Sequence, residues 1–280
     1  MTIKTSRQLK DLVGNKTKGD SGKAQLYFRN WAMERFLERV AMSDYKDNLV
    51  LKGGMLVSSL VGLDNRSTMD IDTTVFGLPL DIDKARSMVE EIIALPVDDF
   101  VRFTLKSTSV IMEEDEYPGV RLSLDAFLEN TRIPLMIDIS TGDVITPKQI
   151  QYEYKLMFED RSFCIWAYNI ETILAEKIET VLSRSTLNTR LRDFYDLFIL
   201  QNSGLSICPS TLAQALRATC ERRKSTNLLE EHALILKDIQ KSKTMQDLWD
   251  NYQSKNDYAD GISWNGVIES IHNLCKVASC

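Results

Sequence analysis

The spacing of hydrophobic residues changes along the chain and predicts two regions. From about residue 48 to residue 140, apolar residues occur in short runs or alternate with polar ones, which is typical of strands. Over residues 21–42, and again from residue 171 onward, they recur every three or four positions, as in amphipathic helices. The pattern predicts an α/β (α+β) fold with two domains. Residues 1–160 would form a mixed sheet with flanking helices, and residues 161–280 a helical domain.

One segment, residues 48–75, combines three different signals. Residues 48–52 form a short apolar run that predicts a buried strand, and Gly53 and Gly54 end it. Residues 55–61 predict about two turns of helix, which Gly62 would close as a C′ glycine. Backbone without Cβ at the two glycines can approach a phosphate closely, and the start of the next helix offers N–H donors.

A pair of carboxylates follows. Asp70 and Asp72 alternate with apolar residues over 69–75, so a strand would direct both to one face. Two carboxylates this close repel each other and favour a shared cation, and oxygen ligands suit Mg²⁺. The alternative is that both are exposed strand charges and that the glycine pair is only a turn.

A third carboxylate, Asp138, lies inside the apolar run 135–140. A charge in such a strand is costly to bury without a partner, and a cation shared with Asp70 and Asp72 would supply one. The alternative is a strand-end side chain that faces solvent.

These residues carry a resemblance to a known family. Gly53-Gly54 followed by Arg66-Ser67-Thr68-Met69-Asp70-Ile71-Asp72 resembles the core motif of nucleotidyltransferases. The segments LKGGMLVSSL and RSTMDID are similar to the AbiEii/AbiGii toxin branch, the toxins of type IV toxin–antitoxin and phage abortive-infection systems. The resemblance implies a nucleotidyltransferase-like sheet and an Mg²⁺-dependent (or Mn²⁺-dependent) transferase.

The resemblance also implies roles for individual residues. Asp70, Asp72 and Asp138 would hold the metal, and Asp138 would deprotonate or orient the acceptor hydroxyl. The phosphates of the nucleotide would lie against a second group, namely Gly53, Gly54, Arg66, Thr68 and Lys177. The sequence departs from the pattern at Gly54, where serine is common, so that a phosphate contact would come from the backbone or from Ser58.

The helical region carries two further matches. AEKIETVLSR and RLRDFYDLFIL resemble family motifs in which a helical lysine faces the phosphates and an R-D-x-x-D segment opens the next helix. The resemblance implies that Lys177 neutralises the triphosphate and that Asp193 acts in the site, which this domain would complete. Asp196 remains open between a catalytic role and a structural one, since helix spacing allows an ion pair with Arg192.

The expected substrate is a nucleoside triphosphate, GTP or a pyrimidine triphosphate, and the expected acceptor is RNA, in particular tRNA. A cognate antitoxin is implied as a partner that does not form a stable complex. Two alternatives use the same residues: a metal-dependent nuclease or phosphohydrolase, and a nucleotide-binding module without catalysis. The preferred base, the acceptor, the antitoxin and the oligomeric state stay undetermined by the sequence.

The composition and net charge of the chain limit the classes of protein to which it can belong. The net charge of −6 argues against a general nucleic-acid coat protein, and local basic groups such as Arg184, Arg190 and Arg192 are interpreted as solvated helix faces. Neither a signal segment nor a membrane span is found, so a cytoplasmic protein is expected. The five cysteines, Cys280 among them, have no zinc-site spacing. The acidic turn at residues 113–116 is expected to be solvated.

Overall fold

A computed structural model describes residues 2–111 and 119–278 of the chain. The predicted acidic turn at residues 113–116 and Cys280 lie outside the described residues. No helix in the described ranges is long and apolar enough to cross a membrane.

A mixed sheet of seven strands is formed by described residues between 49 and 167, in the order β3-β4-β5-β2-β1-β7-β6. Strand β2 pairs parallel with β5 and antiparallel with β1, and β1 pairs parallel with β7. The outer pairs are antiparallel. The strands are β1 (Leu49–Lys52), β2 (Ile71–Val75), β3 (Val101–Ile111), β4 (Gly119–Leu128), β5 (Thr131–Thr141), β6 (Ile150–Lys155) and β7 (Ser162–Ala167).

The helices follow the predicted periodicity closely. The longest predicted helix, residues 21–42, is confirmed with its N-cap Asp20, whose side chain accepts from the backbone N–H of Lys23. The α-helices are α1 (Ser6–Thr17), α2 (Ser21–Met42), α3 (Gly53–Val61), α4 (Ile82–Ala94), α5 (Ile170–Arg184), α6 (Leu191–Asn202), α7 (Pro209–Arg222), α8 (Leu228–Lys241), α9 (Lys243–Gln253) and α10 (Trp264–Ala278).

Two features of the sheet differ from the sequence prediction. The hydrophobic pattern predicts two strands, over residues 100–107 and 109–112, but β3 is continuous up to Ile111 and has only an irregularity in register between Leu105 and Ser107. Strands β6 and β7 were not predicted at all. Strand β6 does alternate, with Tyr152 and Tyr154 separated by Glu153, whereas β7 is a run of mostly apolar residues. Tyr154 and Phe163 stack across the pair with ring centroids 5.3 Å apart.

The chain forms two compact units. The first comprises residues 1–59, 67–143 and 150–167 and contains the sheet, with α2 packed on β5 and β7 and α4 packed on β3. The second comprises residues 60–66, 144–149 and 168–280, and its helix α5 packs on α6 and α7 while α10 packs on α6. A mixed α/β architecture is therefore confirmed. The domain boundary at residue 160 stays a prediction.

Candidate functional site

Three carboxylates meet on one face of the sheet in the first unit. Asp72 lies on β2 and Asp138 lies directly beside it on β5, because the two parallel strands pair in that register. Asp70 completes the group, in which one carboxylate oxygen from each residue lies within 4.8 Å of the others. All three side chains are partly accessible to solvent. The structure therefore brings together the three metal ligands that the sequence predicted.

Asp70 reaches this group from a position just outside the strand. The sequence predicted a strand over residues 69–75, but β2 begins at Ile71, so Asp70 belongs to the preceding bend. The buried hydroxyl of Thr68 lies 3.3 Å from both the carbonyl oxygen and Oδ1 of Asp70 and fixes that bend. Thr68 thus contacts a predicted metal ligand directly.

The two glycines hold the carboxylate of Asp72. Gly53 has a φ of +64°, and a Cβ added there would lie 2.0 Å from Oδ2 of Asp72. The backbone N–H of Gly54 donates to the same oxygen at 3.2 Å. Glycine is therefore required at position 53 both by the backbone conformation and by the carboxylate packed against it. Ser58, the other donor considered for a phosphate, is buried in α3.

Electrostatics make this group unfavourable without a positive charge. Burial, and after it the neighbouring charge of Asp70, raises the pKa of Asp72, although the Gly54 N–H and Lys52 counteract this in part. A divalent cation would relieve the repulsion, and carboxylate oxygens are the ligands that Mg²⁺ and Mn²⁺ favour. The oxygen-only donor set and its spacing fit such an ion.

A row of charged residues crosses the sheet through this group. Lys52 on β1, Asp72 on β2, Asp138 on β5 and Arg121 on β4 are register partners in adjacent strands. Side chains in such a row lie on the same face of the sheet. The two carboxylates are therefore flanked by one cation on each side.

Arg121 forms the closest of these contacts. Its Nε donates to Oδ1 of Asp138 at 2.7 Å and its Nη2 donates to Oδ2 at 2.6 Å, which is a bidentate ion pair. The hydrogen bond to Asp138 raises the pKa of Arg121. Sequence reasoning missed this residue, because only the pairing of β4 with β5 places it opposite Asp138.

Lys52 is tied to a fourth carboxylate. Its Nζ donates to Oδ2 of Asp143 at 2.5 Å, and the hydroxyl of Ser140 donates to the same oxygen at 2.7 Å. Burial alone would raise the pKa of Asp143, but Lys52 and the hydroxyl donors outweigh it and lower that pKa. Asp143 was not singled out in the sequence, since it follows β5 in a polar loop.

The remaining predicted residues form a separate cluster within the second unit. The ammonium of Lys177 lies 2.8 Å from Oδ1 of Asp193 and 2.7 Å from Oδ2 of Asp196. Arg66 donates through Nε to Oδ1 of Asp196 at 2.6 Å, and its side chain is only 1% exposed. The structure thus places Arg66, Lys177 and Asp193 around Asp196. The ion pair that helix spacing allows between Arg192 and Asp196 is not formed, because Asp196 contacts Arg66 and Lys177 while Arg192 is exposed.

Burial and charge oppose each other in this cluster. Burial would lower the pKa of Lys177, but Asp196 and Asp193 outweigh it and raise that pKa. Burial would raise the pKa of Asp196, but Lys177 and Arg66 lower it to about 2. Asp196 and Lys177 are therefore both charged near neutral pH. The tyrosine between the two aspartates, Tyr195, donates to the carbonyl oxygen of Asn65 at 2.6 Å and so fixes the segment that carries Arg66.

Substitution of Gly53 by alanine tests the support of Asp72. The new Cβ would displace the carboxylate, and the loss of a positioning contact typically weakens metal binding by about 10- to 100-fold. We expect G53A to bind Mn²⁺ correspondingly more weakly in a titration followed by electron paramagnetic resonance. G14A is the matched control, since a Cβ at Gly14 meets nothing within 4 Å. Wild-type Mn²⁺ affinity in a folded G53A protein would contradict this assignment.

Substitution of Arg121 by glutamine tests its electrostatic role. A unit positive charge a few ångströms from a divalent cation costs on the order of 1 kcal/mol even in water, so R121Q should bind Mn²⁺ about fivefold or more tightly. R132Q is the control, because Arg132 lies on the same strand as Asp138 but pairs with Asp125 at 2.9 Å. Unchanged or weaker Mn²⁺ binding by R121Q, relative to R132Q, would refute this role.

Substitution of Asp196 by asparagine tests the buried cluster. Removal of one partner leaves buried cations uncompensated, so D196N should lower the free energy of unfolding at pH 7 by about 3 to 5 kcal/mol, measured by urea denaturation. D247N, which breaks the exposed pair with Lys243, should change it little.

The same variant has a defined pH dependence. The folded pKa of Asp196 lies below its unfolded value of about 3.9, so the stabilisation is complete above that value and is lost as the pH falls towards 2. The difference in stability between wild type and D196N should shrink over this range. A difference that is small at pH 7, or constant with pH, would argue against the ion pairs.

The chain is similar to two solved structures and matches one family profile. Among curated proteins, none matches the sequence. Two solved structures from Helicobacter pylori are similar at 14% identity and a TM-score of 0.46 each. One is a candidate nucleotidyltransferase, and the match covers 88% of this chain and 91% of that chain. The other is JHP933, and the match covers 91% of this chain and 92% of that chain. The profile of the family described as "Nucleotidyl transferase AbiEii toxin, Type IV TA system" matches residues 35–269. The chain therefore belongs to the AbiEii nucleotidyl transferase toxin family of type IV toxin–antitoxin systems.

Proposed function

We propose that this protein transfers a nucleotide from a nucleoside triphosphate to a hydroxyl group of an RNA acceptor, with tRNA as the expected acceptor and Mg²⁺ as the cation. The observation that supports the proposal is the group formed by Asp70, Asp72 and Asp138, whose oxygens lie within 4.8 Å of one another. Three oxygen ligands at this spacing suit a divalent ion, and nucleotide transfer requires one at the phosphates. Family membership makes transfer the preferred chemistry.

In this proposal each carboxylate has a distinct task. Asp70 and Asp72, together with Asp138, bind the cation, which when bound supplies charge stabilisation to the reacting phosphate. Asp138 orients the acceptor hydroxyl and accepts its proton. Arg121 fixes the orientation of Asp138, because it donates two hydrogen bonds to the two oxygens of that carboxylate.

The phosphate-binding roles divide according to burial. Gly53 and Gly54 bring backbone close to Asp72, so we assign them to the phosphates of a nucleotide that shares the cation with Asp72. Thr68 supports Asp70 from below the surface and acts as a positioning residue. Arg66 is almost fully buried against Asp196, which favours a positioning role over direct contact with phosphate.

Lys177 and Asp193 are proposed to serve the nucleotide as the family motifs imply. Lys177 retains 13% side-chain exposure and is held as an ammonium by two carboxylates, which suits neutralisation of a polyphosphate. Oδ2 of Asp193 is buried and accepts no hydrogen bond from the described residues, although Arg190 Nε lies 3.2 Å away.

The biological setting follows from the family. We propose that transfer to RNA blocks translation in the cytoplasm, and that a cognate antitoxin counteracts it without forming a stable complex. GTP and a pyrimidine triphosphate are the preferred candidates for the donor.

A labelling experiment tests the transfer. Purified protein incubated with Mg²⁺, total RNA and each α-labelled triphosphate in turn should transfer label to RNA. The D70N/D72N variant should lose at least about 10³-fold in rate, because two of the three cation ligands lose their charge and the reacting phosphate loses its main stabilisation. A D98N/D160N variant, with the same charge change at two exposed aspartates of the first unit, should retain wild-type labelling.

The outcomes separate the alternatives. Equal labelling by the wild type and D70N/D72N would contradict the proposal. RNA that is shortened by the wild type without any triphosphate would instead support a nuclease that uses the same carboxylates. Triphosphate binding by calorimetry, with no transfer to any acceptor, would support a binding module.

A further inference from the structure

The second unit contains a basic cavity that the proposed function does not use. Its volume is about 400 Å³, it is open to solvent, and it lies at the start of α6. Three of its lining residues are cationic, namely Arg190, Arg192 and Lys255. Among the described residues that line it there is no aspartate or glutamate. In a chain with a net charge of −6, this is a local concentration of positive charge.

Two of these cations are available to a ligand. Arg190 is partly neutralised, because its Nε lies 3.2 Å from Oδ2 of Asp193. Arg192 and Lys255 are both exposed, and no described residue forms an ion pair with either of them. Nothing in the fold of the described residues therefore depends on their charges.

The backbone at the start of α6 also favours an anionic ligand in this cavity. Helix α6 is 12 residues long, and its N-cap, Arg190, provides no side-chain hydrogen bond to the first turn. Leu191 and Arg192, the first two residues of the helix, line the cavity. A helix N-terminus carries partial positive charge and favours anions, above all phosphates. Side chains and backbone thus select the same kind of ligand.

The other lining residues suit a nucleic acid better than a small anion. Asn251 offers an amide group, and the ring of Tyr252 forms part of the wall. Amides hydrogen-bond to bases and sugars, and open grooves that combine cations with an aromatic ring are typical of single-strand binding sites. The open side leaves room for a strand to continue beyond the cavity.

We propose that this cavity binds phosphodiester groups of the single-stranded acceptor RNA, through Arg192, Lys255 and the start of α6. The inference rests on the proposed function for the identity of the acceptor. The helical unit would then hold the RNA acceptor, in addition to serving the nucleotide through Lys177 and Asp193.

Fluorescence anisotropy with a labelled single-stranded RNA of mixed sequence tests this directly, without triphosphate or metal. The R192Q/K255Q variant loses two phosphate contacts and should bind this RNA more weakly. The slope of a plot of log affinity against log salt concentration should become less steep by about 1 to 2. R217Q/K241Q removes the same two residue types at exposed positions on α7 and α8 and should behave like the wild type. GTP binding in the presence of Mg²⁺ should be unchanged in both variants.

Three results would overturn the proposal. The first is an unchanged RNA affinity and salt dependence in R192Q/K255Q. The second is an equal loss in R217Q/K241Q, which would indicate a general charge effect. The third is weaker GTP binding with normal RNA binding, which would assign the phosphates to the triphosphate. The binding assay involves no catalysis. Each of these results can therefore be interpreted even if the protein proves to have no nucleotide-transfer activity.

Discussion

Repulsion between neighbouring carboxylates is the constraint around which the sheet is built. Parallel pairing of β2 with β5 sets Asp72 beside Asp138, and the bend before β2 adds Asp70. The fold tolerates this concentration of charge through specific contacts: the Gly54 N–H on Asp72 and the Arg121 guanidinium on Asp138. Each contact leaves lone pairs of the carboxylate oxygens available, so a cation can be added without dismantling the arrangement.

The buried cluster in the helical unit meets a different requirement. Lys177 and Arg66 are held in a nearly dry environment, and Asp196 between them compensates both. Such pairs add little net stability compared with apolar packing, but removal of one member leaves the others uncompensated. The cluster therefore fixes the position of Lys177 more than it stabilises the fold. A lysine held in this way would lose little conformational entropy in binding the polyphosphate that we propose as its ligand.

The sequence predicted the parts of the site that depend on local spacing. The alternation around Asp70 and Asp72 and the glycine pair that begins α3 are local signals, and the apolar run around Asp138 predicted its strand. Contacts that depend on tertiary structure could not be predicted. Arg66 meets Asp196 across 130 residues of sequence, and helix spacing alone suggested Arg192 instead. Arg121 is likewise recognisable only once the register of β4 on β5 is known.

The account depends most directly on whether the three carboxylates form one divalent cation site. Electron paramagnetic resonance measures Mn²⁺ binding to this site in the absence of any substrate. Free Mn²⁺ gives an intense, sharp signal, and bound Mn²⁺ gives a broadened one. The account predicts a saturable site in the wild type and at least about tenfold weaker binding in D138N, because one of three charged ligands becomes neutral. Indistinguishable Mn²⁺ binding by wild type and D138N would contradict it.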